Sequence, residues 1–483
     1  MNGILTRFRR RLMQLALGGT ASIVAAAVVS NILRIVSSIT LTRLLDAQAF
    51  GVVGIITSVA TIFALISDIG VQPFVIRHAL GADRGFLDEI WTLRLIRSFI
   101  LGLCMVIASG PIAILLGKPE FALVLAVWSV SFLIDGLSSM SFATAVREHQ
   151  LWRLTGLELV AAAFQLVAAI SFALILRSYW ALIFAMICSS MLKCVLSYAL
   201  FPRAKRRIAL NRARALELWT FSRFIAPSSL MTLLIMQTDK VVLARFMTLA
   251  AYGIYAVAAT LSAAAPALAS NYGRRVLYPA FAAIARTAPE TLRETFYRKR
   301  RWPNLLYMAA NGAIAGGASL IVTILYDSRY QPVAIYLRLL TISSALALAN
   351  ISAEEMLIAT GRLRATLHAN IVRMGVLIVG ICLVFATGRS ILLVAAFGAM
   401  ELVAMLSYWW SMRRAGLFML REEVWGLAVA CLAAGLAYGA SLTALPYVNY
   451  FQNSKGYGVS YPLKKFIQTG KFKSMSNADE HNK

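Results

Sequence analysis

The chain has 483 residues, of which 60% are hydrophobic and 14% are charged, and its formal net charge is +26. About a quarter of the residues of a typical soluble domain are charged, so this composition and the mean hydropathy of +0.73 exclude a soluble protein and predict a polytopic membrane protein. The positive charge would suggest a nucleic-acid partner only in a soluble chain.

Thirteen apolar stretches have roughly the 17 to 25 residues that a membrane-spanning helix needs. In chain order they are residues 19–39, 49–70, 98–116, 121–142, 154–176, 179–201, 224–243, 252–269, 305–325, 333–359, 367–386, 391–410 and 424–445. Basic residues at positions 7–11 precede the first stretch, which is also the pattern of a cleaved signal peptide. The first stretch is long for a signal peptide, however, and its far end belongs to an internal repeat, so we interpret it as the first membrane helix.

Residues 41–59, LTRLLDAQAFGVVGIITSV, recur 202 positions later as LARFMTLAAYGIYAVAATL at residues 243–261. Four of the shared positions are Leu41/Leu243, Arg43/Arg245, Ala49/Ala251 and Gly51/Gly253. Each copy lies at the junction of two apolar stretches, so the repeating unit contains several membrane helices and indicates an internal duplication. Two membrane-embedded halves are typical of transporters. Gly51 and Gly253 are the glycines of the two repeat junctions.

The basic residues are distributed unequally between the loops. Seven segments on one side hold 30 Lys and Arg residues, and the six opposite loops hold six. The positive-inside rule therefore predicts that the N-terminus and the basic segments are cytoplasmic; these segments are residues 1–14, 74–97, 146–153, 202–223, 273–302, 361–366 and 411–423. The two richest basic runs, at 203–207 and 298–301, are also expected to contact anionic lipid head groups. This distribution explains the net charge without nucleic acid.

The sequence predicts no metal, cofactor or nucleotide site. The five cysteines lie inside apolar stretches without metal-ligand spacing, and the four histidines show no HExxH pattern. A phosphate loop is also missing, because the glycines and lysine at residues 110–118 have the wrong spacing. We therefore expect a protein that uses no cofactor and is not an enzyme.

Five basic residues are predicted to lie inside membrane spans: Arg34, Lys193, Lys240, Arg338 and Arg373. A charge at the bilayer centre costs at least about 2.5 to 3.5 kcal/mol, so such residues face the bundle interior or a wet cavity. The acidic residues predicted inside spans are Asp135, Asp239, Glu354 and Glu401. Two interpretations stay open. The charges form structural ion pairs, with Lys193 and Glu354 able to reach the interface, or Arg34, Lys240, Arg338 and Arg373 bind an anionic substrate.

The repeat places Arg34 and Lys240 at similar depths. Arg34 corresponds to Met236, and Lys240 lies one helical turn beyond Met236 on the same face. At about 1.5 Å per residue, both lie roughly 22 to 24 Å from the cytoplasmic end. We expect them to face a shared central cavity that suits an anionic head group, because Arg and Lys are natural phosphate partners. Asp239, Asp135 and Glu401 either carry coupling ions or neutralise neighbouring cations.

Four further features concern helix bending and packing. Pro227 and Pro266 lie in or at the start of the seventh and eighth stretches and are candidate hinges, although membrane helices also tolerate proline without bending. The sequences Gly312-xxx-Gly316 and Gly435-xxx-Gly439 permit close helix packing.

Three longer motifs resemble one family of exporters. They are TDKVVLARFMTLAAYGIYAVAATLS at residues 238–262, LLDAQAFGVVG at 44–54 and DIGVQPFVIR at 68–77. Together they resemble the polysaccharide-transporter flippases of the multidrug, oligosaccharidyl-lipid and polysaccharide exporter (MOP) superfamily, over residues 15–423. The resemblance implies an all-α, MATE-like membrane fold, in which two six-helix lobes (1–216 and 217–423) surround a cavity lined by helices one and seven. A thirteenth helix follows at 424–446.

The resemblance also implies a function. Such flippases move undecaprenyl-diphosphate-linked oligosaccharides across the bacterial inner membrane, for exopolysaccharide, O-antigen or capsule synthesis. The expected partners are this lipid-linked oligosaccharide, membrane lipids, and polysaccharide polymerase and chain-length proteins. We expect the outer loops at residues 118–120 and 326–330 to close the outward side. Two other functions stay open: a cation-coupled multidrug antiporter, which would prefer an acidic, aromatic cavity, and a membrane glycan polymerase or ligase, which generally resembles a chain with a large outer loop.

The composition changes near residue 447. Residues 1–446 contain 36 Arg and 5 Lys, whereas residues 447–483 contain 6 Lys and no Arg. We expect a disordered polar tail here, where many relatives are expected to have a fourteenth helix. Two origins stay open: a frameshift or gene fusion, and a basic binding tail.

Overall fold

The computed structural model describes residues 20–67, 70–147, 151–201 and 206–454. These residues form nineteen α-helices, and no β-strand occurs among them. The basic residues at 7–11 and the part of the predicted tail from residue 455 onward lie outside the described residues.

The first half of the chain contains nine helices: α1 (Thr20–Leu44), α2 (Ala47–Ile66), α3 (Val71–Arg77), α4 (Arg84–Leu115), α5 (Phe121–Trp128), α6 (Val130–Leu137), α7 (Ser141–Arg147), α8 (Leu151–Leu176) and α9 (Trp180–Ala199). The second half contains nine more: α10 (Arg212–Phe246), α11 (Leu249–Ser262), α12 (Ala264–Tyr272), α13 (Tyr278–Thr287), α14 (Leu292–Gly316), α15 (Ala318–Leu325), α16 (Val333–Ala359), α17 (Leu363–Thr387) and α18 (Ile391–Arg414). A single further helix, α19 (Leu420–Ser454), follows.

All thirteen predicted stretches correspond to helices where the structure describes them. Within the described ranges, nine helices are long and apolar enough to cross a membrane, or ten if the bent pair of α14 and α15 counts as one span. The three other stretches are α1, the interrupted series α5 to α7, and α10. Because α1 and α10 have 25 and 35 residues, both exceed the length of about 20 residues that a span needs.

The helix boundaries follow the internal repeat. The helices α1 and α10 end at Leu44 and Phe246, and α2 and α11 begin at Ala47 and Leu249, so the members of each pair are 202 residues apart. The fold is therefore compatible with a duplication. The side of the α1–α2 and α10–α11 connections is predicted to be the outer side and is named so.

Breaks interrupt three of the membrane stretches, the eighth of them only at Ala263 between α11 and α12. The fourth is interrupted between α6 and α7, and the carbonyl oxygens exposed by this break accept hydrogen bonds from side chains of neighbouring helices. Arg94 donates to the Asp135 carbonyl at 2.7 Å, and the Trp91 indole donates to the Ser138 carbonyl at 3.2 Å. In the ninth stretch, α14 and α15 meet at an angle of 69°. Unwound backbone at membrane depth is tolerated only where other groups satisfy it, as they do at the α6–α7 break.

The largest buried cluster lies between the two halves. It joins α2 with α11 and α16, and its members Ile56, Tyr252 and Leu337 are each at most 1% exposed. A core that extends across both halves holds them together next to the outer connections. The cavity predicted between the halves must therefore be sought on the inner side of this core.

Helix α19 packs on α14 through small residues. A Cβ on Gly312 would clash with the Ala430 carbonyl, and a Cβ on Gly316 would clash with the Ala434 carbonyl. This contact explains the first of the two glycine motifs, because small residues let membrane helices approach closely. A Cβ on either glycine of the second motif, at 435–439, would meet nothing within 4 Å, so that motif does not contribute to this interface.

A buried ion pair fixes one end of the same interface. Arg300 of α14 and Glu423 of α19 have side chains that are each 3% exposed, and their bidentate contacts measure 2.6 and 2.7 Å. The Tyr297 hydroxyl also donates to Glu423, at 3.1 Å. The expectation that the basic run 298–301 contacts lipid head groups is therefore wrong for Arg300, because its charge is used inside the protein.

The substitution Glu423→Gln should destabilise the protein strongly, since the buried Arg300 guanidinium loses its counter-charge, and breaking a buried pair costs about 3 to 5 kcal/mol. Thermal unfolding in detergent measures the effect. Glu422→Gln is the matched control, because its partner Arg301 is 52% exposed and the pair is longer, at 3.6 Å. Equal losses of stability in the two variants would contradict this assignment.

Candidate functional site

The two halves approach each other closely where α2 crosses α11. A Cβ on Gly51 would clash with the Leu249 carbonyl oxygen, and a Cβ on Gly253 would clash with the Ala47 carbonyl oxygen. Only glycine permits backbones to pack this closely. Ala47 and Leu249 are 202 residues apart, as are the two glycines. The two contacts are therefore equivalent under the internal repeat. The repeat-junction glycines thus meet each other at one crossing.

One outer loop of the second half reaches the end of α1. The Tyr330 hydroxyl donates to the Leu45 carbonyl at 3.2 Å, and the neighbouring Arg329 forms an ion pair with Asp46 at 2.8 Å. Leu45 and Asp46 form the connection between α1 and α2. The loop at 326–330, which we expect to close the outward side, therefore contacts the opposite half.

An outer loop of the first half makes the corresponding contact with α10. The Lys118 ammonium donates to the carbonyl oxygen of Ala244 at 2.6 Å and lies 3.5 Å from that of Met247. Burial lowers the pKa of Lys118. The loop at 118–120, which we expect to close the outward side, thus contacts the other half at this residue.

Aromatic rings fill the space beneath the Tyr330 contact. Tyr330 is fully buried and meets the ring of Phe50 edge-on, with 6.3 Å between centroids. The hydroxyl of Tyr326 lies 3.2 Å from that of Ser38 in α1, in a buried position. Contacts between residues of different halves thus join the outer ends of the helices, and we refer to these contacts as the outer closure.

The two cations predicted to face a cavity lie below this closure. At about 1.5 Å per residue, Arg34 is roughly 15 Å and Lys240 roughly 9 Å from the outer ends of their helices. Arg34 is exposed, and the Lys240 ammonium donates to the Gln237 side chain at 3.2 Å. Under the 202-residue offset, Lys240 is equivalent to Ser38, the residue of α1 that faces Tyr326 of the other half.

The other two candidate cations have partners within the second half and α19. Arg338 donates to Ser319 at 2.7 Å and lies 5.5 Å from the ring centroid of Tyr438. Arg373 binds Glu401 in a bidentate arrangement, with distances of 2.9 and 2.8 Å. None of these contacts involves α1 or α10. A site shared by Arg338 and Arg373 with Arg34 and Lys240 stays a prediction.

The remaining predicted site residues are dispersed. Asp135 pairs with Arg94 at 3.0 Å, and its side chain is 65% exposed. Pro266 lies in the first turn of α12, directly after the break at Ala263 that separates α12 from α11. The backbone is helical through Pro227. The side chains of Pro227 and Asp239 lie outside the described part of the structure.

The inner end of α10 packs against the first half, in an arrangement that the sequence did not indicate. His78 Nε2 lies 2.9 Å from Glu217, and Arg214 donates to the same carboxylate at 2.7 Å. The Arg214 guanidinium holds the pKa of Glu217 below its usual value. Leu218 packs against Phe74 in a buried cluster beside these polar contacts. Helix α10 therefore contacts the first half at both of its ends.

The segment of the chain that makes most of these contacts between the halves matches a known protein family. A family model described as "Polysaccharide biosynthesis protein" matches residues 40–335, more than half of the chain and a range that includes the glycine crossing and both outer loops. The chain belongs to this family. Among curated proteins, this family member is similar to the succinoglycan biosynthesis transport protein ExoT of Rhizobium meliloti (strain 1021), with 22% identity over 241 residues. That match covers 50% of the chain and 48% of the relative, so the chain spans about half the length of the curated relative.

Solved structures share the fold of this polysaccharide biosynthesis family member. The lipid II flippase MurJ, in an inward closed conformation, has a TM-score of 0.66 and 10% identity, and the match covers 88% of this chain and 99% of MurJ. An inward-facing MATE family transporter of the MOP superfamily has a TM-score of 0.61 and 16% identity, with coverages of 84% and 97%. The eukaryotic MATE transporter AtDTX14 has a TM-score of 0.55 and 16% identity, with coverages of 90% and 99%. The predicted all-α polytopic membrane fold of the MOP type is thereby confirmed.

The glycine crossing generates a prediction about the outer closure. Gly253→Ala should weaken it, because the added Cβ meets backbone rather than a movable side chain, and overpacking costs about 1 to 3 kcal/mol. Spin labels on the exposed residues Glu120 and Ser328, in the two outer loops, measure the separation of the halves. We expect a second, longer distance in the variant.

The matched control is Gly156→Ala in α8, where a Cβ would meet nothing within 4 Å. It should leave the distance distribution as in the parent protein. An unchanged distribution in Gly253→Ala as well would show that the crossing does not set the separation of the halves.

Proposed function

We propose that this protein is a flippase that moves undecaprenyl-diphosphate-linked oligosaccharide repeat units across the bacterial inner membrane, for exopolysaccharide, O-antigen or capsule synthesis. Membership of the polysaccharide biosynthesis family supports the substrate class. The observation that carries the proposal is a cation on each of α1 and α10, below a closure that holds the outer ends of these helices in contact with the opposite half. Alternating access requires two halves that are joined first on one side of the membrane and then on the other.

The chemistry of the substrate fits the two cations. A diphosphate carries negative charge that must be compensated within the membrane, and charge-assisted hydrogen bonds from Arg or Lys are strong. Arg34 is exposed and available for such bonds. The prenyl tail can remain in lipid between the halves, so the protein needs to shield only the diphosphate and the sugars.

The mechanism in this proposal is alternating access. Contacts between the halves close the outer side, so the head group enters from the inner side and reaches the far side when α2 separates from α11. Cytoplasmic orientation of the N-terminus, and association with polysaccharide polymerase and chain-length proteins, are part of the proposal and rest on the charge distribution and on the family. Coupling by Asp239 or Asp135 stays a prediction, whereas Glu401 is engaged with Arg373.

A multidrug antiporter is the second candidate, because MATE transporters share the fold. Such an antiporter would bind cations, and acidic groups would serve this better than Arg34 and Lys240 do. An exposed arginine on the first helix favours an anionic substrate. The two functions differ in the transported substrate, which is an anionic lipid-linked oligosaccharide for a flippase and a cationic drug for an antiporter.

In proteoliposomes that contain a fluorescent undecaprenyl-diphosphate oligosaccharide, Arg34→Ala and Lys240→Ala should each slow head-group translocation by about ten- to a hundredfold, since a hydrogen bond to a charged group contributes about 1.5 to 3 kcal/mol. Arg34→Lys should retain much of the activity. Accessibility of the head group to a quencher outside the vesicles measures translocation.

The control is Arg389→Ala, which removes an exposed cation from an outer loop and should translocate at the parent rate. Parent rates in Arg34→Ala and Lys240→Ala would reduce both cations to a structural role. Absence of translocation by the parent protein, together with export of cationic drugs, would favour the antiporter.

A further inference from the structure

Two contacts on the outer side have the same architecture, although different residue types make them. Lys118 follows α4, at the end of the third membrane stretch, and Tyr330 follows α15, at the end of the ninth. In a plan of two six-helix halves, these loops are equivalent. Each loop crosses to the opposite half and donates to carbonyl oxygens at the outer end of the first helix there.

The acceptors correspond in part. Tyr330 binds the carbonyl of Leu45, and Lys118 lies against the carbonyl of Met247, exactly one repeat of 202 residues further along the chain, with its shorter bond to Ala244 in the last turn of α10. The final carbonyls of a helix have no partner within the helix, and they form the negative end of its dipole. An ammonium or a hydroxyl from elsewhere is therefore a favourable cap.

From this symmetry we propose that Lys118 and Tyr330 are a matched pair of latches that hold the outer side closed, each by capping the first helix of the opposite half. The proposal deepens the proposed function, because it names the residues that must release before the outer side opens. Neither residue lies on the helices that bear the substrate cations. Their role is to position the halves and does not include contact with the substrate.

The local structure supports this role for Lys118. Gly117 has φ of +67°, a left-handed conformation that ends α4 and turns the chain so that Lys118 can reach across. The Lys118 amide donates to the Ala113 carbonyl at 2.9 Å, which fixes the turn. The lysine side chain is thus presented by a rigid helix end rather than by a long free loop.

The two latches should differ in strength. Lys118 provides a charged donor at 2.6 Å, and Tyr330 provides a neutral donor at 3.2 Å that is accompanied by the ion pair of Arg329 with Asp46. Hydrogen bonds from charged groups are stronger than neutral ones. Loss of the Lys118 cap should therefore open the outer side more than loss of the Tyr330 hydroxyl.

Thiol labelling measures the opening without any substrate. The reporter position is Ser38, which lies beneath the closure and is 7% exposed. The five native cysteines are replaced by alanine, and Ser38 is then replaced by cysteine. A membrane-impermeant, uncharged maleimide is added outside the proteoliposomes. We expect Lys118→Met to raise the labelling rate about ten- to a hundredfold, Tyr330→Phe to raise it about two- to tenfold, and Lys118→Arg to leave it near the parent rate.

Two controls separate latch release from other effects. Arg389→Met removes an outer cation outside these contacts and should not change the rate. A second reporter, Ser109→Cys, has the same 7% exposure and lies, like Ser38, six residues from the outer end of its helix, but on α4. Faster labelling at both reporters would mean general loosening and would overturn the proposal.

Unchanged labelling of position 38 in both Lys118→Met and Tyr330→Phe would also overturn it. Tyr330→Phe removes a single oxygen atom and keeps the ring packing, so it remains informative if Lys118→Met does not fold. The measurement is independent of the transported substrate. Faster labelling without translocation of the lipid-linked oligosaccharide would contradict the proposed function and leave the latches in place.

Discussion

The backbone contact between α2 and α11 is the constraint on which the rest of the structure depends. Because Gly51 and Gly253 each face a carbonyl of the other helix, the two helices can cross only if both positions lack a side chain. This crossing brings the α1–α2 and α10–α11 connections together, and the outer loops can then reach the opposite half. Burial of Ile56 and Tyr252 beside the crossing makes the contact part of a continuous core.

Several charged and aromatic donors in the described part of the bundle have defined acceptors. The broken fourth stretch receives bonds from Arg94 and Trp91, and Arg373 is neutralised by Glu401. At the outer end of α10 the acceptors are helix-end carbonyls, and the donor Lys118 comes from the opposite half. Satisfaction of polar groups is obligatory in a membrane, and here the same bonds that satisfy helix ends also join the halves. A protein that is closed alternately on its outer and inner sides needs such bonds, because they connect the capping of single helices to the arrangement of the two halves.

Features that depend only on position along the chain could be predicted from the sequence. The thirteen stretches, the repeat with its glycines, and the two outer loops all follow from apolar length, self-similarity and turn position. The sequence does not show which helices are neighbours in the folded protein. Arg338 and Arg373 sit at plausible depths, yet their partners Ser319 and Glu401 are found only once the helices are packed. The identity of the Lys118 acceptor was equally hidden, because a backbone carbonyl has no signal in the sequence.

The most direct test of this account joins the two halves on the outer side and asks whether transport stops. Cysteines replace Asp46 and Arg329, an ion pair between halves, in a protein without native cysteines, and a bifunctional methanethiosulfonate spans the gap left by the arginine side chain. Translocation of the undecaprenyl-diphosphate oligosaccharide is then measured before and after reduction. We expect translocation to stop when the halves are cross-linked and to recover on reduction. Equal translocation in both states would contradict the claim that the outer side must open.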